Sequence, residues 1–291
     1  MSNRKSILVL LLMIAALVGA HLALRIRGVP ALPVGRTLLD ASETPVRLSI
    51  ERRGGQPTVL SRTTEWRLES PYSASADERV VARLLDLLSF TPVLDVIADS
   101  DLIKLGRSRS DFSLSEPPLT VRVSDRSGRE TVVSFGVPTP SADGVYARVS
   151  GLSAVLVMPT DLLSAVEMPA DGFRRRSLFR LTPEDVQSLD VKCGKGMLNS
   201  FVREGNDWVS GGGRASRREV EKYVSDLLSV EAVDFLWPVG VSNEADRVSE
   251  SLLAGYGLDP ESAVTVSLKS RDGGSERVSF GKETEGGRVY A

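Results

Sequence analysis

Two stretches decide how this chain is read: residues 119–136, LTVRVSDRSGRETVVSFG, and residues 264–281, VTVSLKSRDGGSERVSFG. In each, apolar and polar residues alternate, then comes a turn rich in Asp and Gly, then a second alternating run closing on Phe-Gly. Alternation with a period of two predicts strands with one buried face, and the turn residues predict a hairpin. The two stretches lie roughly 140 residues apart, far beyond the period of a stacked solenoid, so the pattern predicts domain duplication.

Working outward, each hairpin is preceded by matching elements. The first copy opens with Val46-Arg47-Leu48-Ser49-Ile50, Thr58-Val59-Leu60 and Trp66; the second opens with Leu189-Asp190-Val191-Lys192-Cys193, Ser200-Phe201-Val202-Arg203 and Trp208. A helix is expected after each tryptophan. Ser75-Ala76-Asp77-Glu78 and Ser216-Arg217-Arg218-Glu219 both have the S-x-x-E form of a capping box. Val80, Leu84, Leu87 and Leu88 then follow helical spacing, as do Val220, Tyr223, Val224, Leu227 and Leu228. After the hairpins both copies reach Val-Tyr-Ala, at Val145-Tyr146-Ala147 and Val289-Tyr290-Ala291, and Asp143-Gly144 is a further hairpin signal. The first copy continues into a hairpin around Gly151 and a short helix from Asp161 to Val166. On that comparison the second copy is expected to lack roughly 20–35 residues, since a sheet closed with fewer strands would leave an unpaired edge.

The expectation is an α+β body of two tandem modules, each a mostly antiparallel sheet with a packed helix. Residues 45–179 form the first and 180–291 the second. Ahead of them, Ile7 to Leu24 (ILVLLLMIAALVGAHLAL) is an uncharged apolar run. At 1.5 Å per residue it reaches roughly 27 Å, close to the thickness of a bilayer core. Val18-Gly19-Ala20 also resembles a cleavage site, so a signal peptide is the competing reading. The length of the run and the basic residues beyond it favour an uncleaved signal anchor. Residues 1–6 then form a cytoplasmic tail, 7–24 the transmembrane anchor, and 25–44 a linker carrying Pro30, Pro33 and Gly35. The short N-terminal tail suits a body outside the cytoplasm, in the periplasm of a bacterial cell.

Composition excludes much chemistry. The formal net charge of −2 gives no basis for nucleic-acid binding. The one histidine, His21, lies in the apolar run, so the body carries no histidine for a triad or a metal site. The one cysteine, Cys193, cannot form an internal disulfide, and a half-buried strand position is expected for it. Neither a cofactor nor a metal is expected.

Candidate sites are few. Arg174, Arg175 and Arg176 form a basic cluster at the junction of the copies, the candidate interaction residues for an anionic partner or lipid headgroups. Such a run also serves to cap a helix or pair with acids. Gly211-Gly212-Gly213 precedes a helix, where anions can bind, but the full phosphate-loop pattern is absent, which leaves a plain loop. Trp66 and Trp208 are expected as core anchors rather than ligand platforms. Asp95, Asp99 and Asp101, and Asp259 with Glu261, are the carboxylate groupings that glycoside chemistry would need, against the ordinary reading of solvated acids.

Several of these residues carry a resemblance. Trp66-Arg67-Leu68-Glu69-Ser70-Pro71 with Ala76-Asp77, Phe135-Gly136 to Tyr146-Ala147-Arg148, Phe173 to Leu178 with Asp185-Val186, and Gly255-Tyr256-Gly257-Leu258-Asp259-Pro260 resemble the bacterial membrane-anchored family called domain of unknown function 4340. The first copy departs at the last element, with Asp111-Phe112-Ser113-Leu114 in its place. The resemblance implies a companion of ABC-type export systems related to gliding-motility transporters. It implies no activity. The resulting expectation is a non-enzymatic accessory or scaffold subunit in the bacterial inner membrane, with envelope proteins as partners. The alternatives are an extracytoplasmic ligand- or polysaccharide-binding module and, behind it, a carboxylate-dependent envelope hydrolase.

Overall fold

A computed structural model describes residues 38–39, 44–196, 198–236 and 250–291. The chain packs into two compact units. One comprises the chain up to Pro71 with Glu78–Gly172; the other comprises Tyr72–Asp77 with Phe173–Ala291.

The first sheet has nine strands: β1 (Pro45–Arg52), β2 (Thr58–Arg62), β3 (Trp66–Ser70), β4 (Ala74–Ser75), β5 (Asp95–Ala98), β6 (Leu119–Asp125), β7 (Glu130–Pro138), β8 (Gly144–Val149) and β9 (Ala154–Pro159). Their order is β4-β3-β2-β1-β6-β7-β8-β9-β5. From β3 through to β5 in this order every neighbouring pair is antiparallel. Alternation explains why these segments are strands. Leu48 pairs with Leu60 and Val123, and Ile50 with Val121, and all of them face the core. Between them Arg47, Ser49 and Glu51 point to the other face, where Arg47 pairs with Glu69 and Glu51 with Arg122. The core is completed by α1 (Glu78–Phe90), through Val81, Leu84 and Leu88, and by α3 (Thr160–Val166), through Leu162 and Val166. Burying each such side chain contributes roughly 1.5–3 kcal/mol. The opposite face of β8, β9 and β5 is also covered. There α2 (Asp99–Lys104) and a 3-10 turn (Arg109–Phe112) bring Leu102, Phe112 and Leu114 onto Val155, Ile97 and Tyr146.

The second unit holds β10 (Val186–Cys193), β11 (Leu198–Glu204), β12 (Asp207–Ser210), β13 (Gly213–Ala215), β14 (Val264–Ser270) and β15 (Ser275–Phe280), in the order β13-β12-β11-β10-β14-β15. The helix α4 (Arg217–Leu228) lays Val220, Val224 and Leu227 onto Leu189, Val266, Leu268 and Trp208; α5 (Glu250–Gly255) follows it.

Order and register recur between the units. In both, the first strand lies between the second strand and the strand that follows the helices. In both, that first strand carries an irregularity near its start, at Pro45/Arg47 against β6 and at Val186/Ser188 against β14. A further device recurs behind the Phe-Gly motif. Phe112 packs on Tyr146 with ring centroids 4.5 Å apart, and Tyr256 packs on Tyr290 at 4.6 Å. A Cβ on Gly136 would overlap the Phe112 carbonyl oxygen, and one on Gly281 would overlap that of Tyr256. The residue after each of these aromatics has a left-handed backbone, with φ 57° at Ser113 and 71° at Gly257. The turn that looked different in sequence thus has the same local backbone hand, because serine tolerates there what glycine adopts freely.

The expected hairpins and the helix near Asp161–Val166 are present. Two local expectations, the capping boxes and the burial of Cys193, are corrected. Neither S-x-x-E sequence forms a capping box. Ser75 lies in β4 and accepts a hydrogen bond from Arg180 (2.9 Å), while Glu78 accepts the backbone N–H of Trp66 (2.6 Å). Ser216 is the N-cap of α4 but makes no side-chain cap bond. The capping box that does form joins Ser108 and Asp111 at the 3-10 turn. The hairpin signalled by Asp143-Gly144 does form between β7 and β8, through a loop that runs from Thr139, whose N–H donates to the Gly144 carbonyl (2.8 Å), with Ala142 in the left-handed conformation. Cys193 is exposed at the end of β10 rather than half-buried, because the strand there has run past the core. Among the described residues no helix is long and apolar enough to cross a membrane; Ile7–Leu24, residues 1–6 and most of 25–44 lie outside the described residues. Within the connection, Leu38 and Leu39 are described and buried.

Candidate functional site

A concave feature lies in the second unit. Glu204 and Asp207 close a hairpin with Gly205 (φ +60°) at the first of two turn positions, the place where a tight hairpin needs glycine. That turn sets Arg203 of β11 directly opposite Trp208 of β12. The first turns of α4 add Arg217 and Glu221, four residues apart and so on one face. With Pro183, Glu184 and Val224 these residues line a cleft of about 340 Å³, at the small end of the range for small-molecule sites.

Its electrostatics are organised around Glu221. One carboxylate oxygen accepts from Arg217 Nε at 2.9 Å and from Arg203 at 3.3 Å. The Arg203 guanidinium also lies 5.1 Å from the Trp208 ring. Trp208 is 1% exposed and its Nε1–H has no partner among the described residues. The lining thus sets two arginines, Arg203 and Arg217, against two glutamates, Glu184 and Glu221, and is charge-balanced. No nucleophile and base are paired there. Sequence reasoning placed Trp208 as a core anchor, which it is, but missed the cleft. The signal was present in the Gly-Asn turn that puts Arg203 opposite Trp208.

The basic cluster is held within the second unit. The Arg174 guanidinium stacks 3.6 Å from the Phe235 ring and 5.2 Å from Tyr72. Arg176 donates to the carbonyls of Ala232 (3.0 Å) and Val233 (2.6 Å), and the Arg175 N–H donates to the Ser75 carbonyl (2.9 Å). The run thus secures Tyr72–Asp77 on one side and residues 232–235 on the other.

Gly211 and Gly212 are the two turn residues between β12 and β13, both with positive φ, so the glycines serve a hairpin. The carboxylate groupings do not converge. Asp99 pairs with Arg109, Asp101 with Lys104 (2.8 Å), and Asp95 accepts the N–H of Val96 (2.8 Å). Glu261 pairs with Lys195. Asp259 accepts the N–H groups of Glu261 (3.0 Å) and Ser262 (3.1 Å), and hydrogen bonding, from Ser262 first, holds its carboxyl below the usual range. Asp125, Asp143 and Asp272 are lowered in the same way, chiefly by the hydroxyls of Ser127, Ser141 and Ser270. Among the described residues no group of three or more His, Cys, Asp or Glu could hold a metal ion.

Residues 66–251, nearly two thirds of the chain, match the family described as Domain of unknown function (DUF4340). The chain belongs to that family. The match begins at Trp66, the first residue of β3, and it takes in the Arg203–Trp208–Glu221 cleft. No curated protein and no solved structure matches the chain.

Proposed function

We propose that this protein is a non-enzymatic, membrane-anchored accessory or scaffold subunit of the bacterial cell envelope, serving an ABC-type transport system. Residues 7–24 are its anchor in the inner membrane, and its two units are duplicated modules outside the cytoplasm. The observation that carries this reading is the recurrence of strand order, first-strand irregularity and aromatic-glycine packing in both units. Two similar surfaces on one chain suit a repeated or extended partner, because the second contact is made at high effective concentration. The test is affinity purification of the whole protein from detergent-solubilised membranes, with mass spectrometry of what accompanies it. Transporter subunits in stoichiometric amounts support the reading; a processed protein recovered alone overturns it. The cleft at Arg203 and Trp208 supports a second reading, an extracytoplasmic ligand-binding module. That reading predicts saturable binding of an envelope saccharide by calorimetry, weakened in Arg217→Ala.

A further inference from the structure

Large apolar side chains left exposed in the first unit fall close together along the chain. Among its described residues six are exposed, and five of them, Phe90, Leu94, Val96, Ile103 and Leu105, fall within residues 90–105. This segment forms a border of the fold. It comprises the end of α1, the edge strand β5 and the helix α2. The strand separating Leu94 from α2 is only four residues long, roughly 13 Å by strand geometry. Ile103 and Leu105 are the most exposed of the set, at 77% and 70%. They flank Lys104 while Leu102 beside them is buried, so the segment turns Leu102 to the body and leaves Ile103 and Leu105 outward. Patches of this kind mark contact surfaces.

The length of the connecting chain indicates what covers the border. Leu38 and Leu39 are packed into the protein, which leaves thirteen residues, 25–37, between the apolar run and the first packed point. Fully extended, thirteen residues span at most about 45 Å. A unit of this size has a radius of gyration on the order of 15 Å and is roughly 40 Å across. With residues 7–24 in a bilayer, the first unit therefore stays within about its own diameter of the membrane surface. We infer that the border formed by Phe90, Leu94, Val96, Ile103 and Leu105 docks on the lipid bilayer, with Ile103 and Leu105 inserted at the interface. This rests on the anchor reading given above. Within residues 90–105 Asp95, Asp99 and Asp101 stand against Lys104, a net charge of −2, so the segment has no basic excess to attract anionic lipid. Apolar contact therefore drives docking, and it needs no anionic lipid.

The test uses the full chain carrying Cys193→Ser and Ile103→Cys, spin-labelled at position 103 and reconstituted into phosphatidylcholine vesicles. A label at Ser141→Cys, in the exposed β7–β8 loop, is the reference. Docking predicts that the oxygen-to-nickel-chelate accessibility ratio at 103 exceeds that at 141 several-fold and falls to the reference value when Leu105→Glu is added. Equal, aqueous values at 103 and 141 overturn the inference. Protection of 103 from both relaxants indicates a protein contact, such as a second copy, and also overturns it. Alkaline carbonate extraction of the same vesicles separates the two levels. A retained chain with an aqueous label refutes only the docking, whereas an extracted chain refutes the anchor as well.

Discussion

Gly136→Ala should be among the most damaging single methyl additions in the first unit. The backbone at Gly136 does not have positive φ, so alanine brings no conformational penalty and the whole effect is steric. The added Cβ would overlap the Phe112 carbonyl oxygen and approach the Phe112 carbonyl carbon to 3.1 Å and Leu114 Cδ2 to 3.2 Å. Two of these three neighbours are backbone atoms, which cannot swing aside. Relief requires moving the Phe112–Leu114 turn, and with it the contacts of Phe112 and Leu114 in the cluster with Leu102 and Val155. Overpacking of a rigid core costs typically 1–3 kcal/mol, and the backbone clash places this case at the top of that range, about 3 kcal/mol. For a unit of this size that corresponds to a fall of roughly 6–12 °C in midpoint, read by calorimetry of the purified protein in detergent. The matched control is Gly151→Ala. There φ is +80° with no atom within 4 Å of the added Cβ, so only backbone strain of about 1 kcal/mol is expected. If Gly136→Ala costs no more than Gly151→Ala, the aromatic-glycine packing does not hold the turn and the reasoning fails.

Two other outcomes are expected. Arg174→Ala removes a guanidinium stacked between Phe235 and Tyr72, at a cost of about 1–2 kcal/mol. Hydrogen exchange at Ala76 and Asp77, whose segment is bonded to Phe173 and Arg174, should quicken in this variant; unchanged exchange there would show that the arginine is not the clasp. The turn aspartates Asp125, Asp143, Asp259 and Asp272 have folded-state pKa values below the ordinary one. Such groups contribute stability that is present above the unfolded aspartate range and is lost as pH falls through their folded values. Urea midpoints should therefore drop on acidification below that range, and less steeply in Asp259→Asn than in the unaltered protein; parallel curves would refute the assignment for Asp259.

Strand identity was legible in the sequence because it depends on local alternation. Leu48 and Ile50 against Arg47 and Ser49 can be satisfied only by a two-faced strand, wherever its partners lie. Helix position was legible for the same reason, through the spacing of Val220, Val224 and Leu227. The kinship of the turns at Phe112 and Tyr256 was only half legible. Ser113 and Gly257 look unlike, and only the backbone shows that both are left-handed. Capping was misread because Ser75 and Glu78 had better partners in Arg180 and the Trp66 N–H, which no local window contains.

What the amino-acid sequence by itself determined, then, are the strands and hairpins at 119–136 and 264–281, the helices that follow Trp66 and Trp208, and the apolar run at Ile7–Leu24. These follow from periodicity and composition, which act over a few residues at a time. Only the tertiary structure decided that β9 is buried on both faces while β5 is left at an edge. It alone placed Arg203 over Trp208 beside Glu221, and left Phe90, Leu94, Ile103 and Leu105 exposed. The physical reason is that burial is a property of what packs against a residue, and those neighbours come from distant parts of the chain.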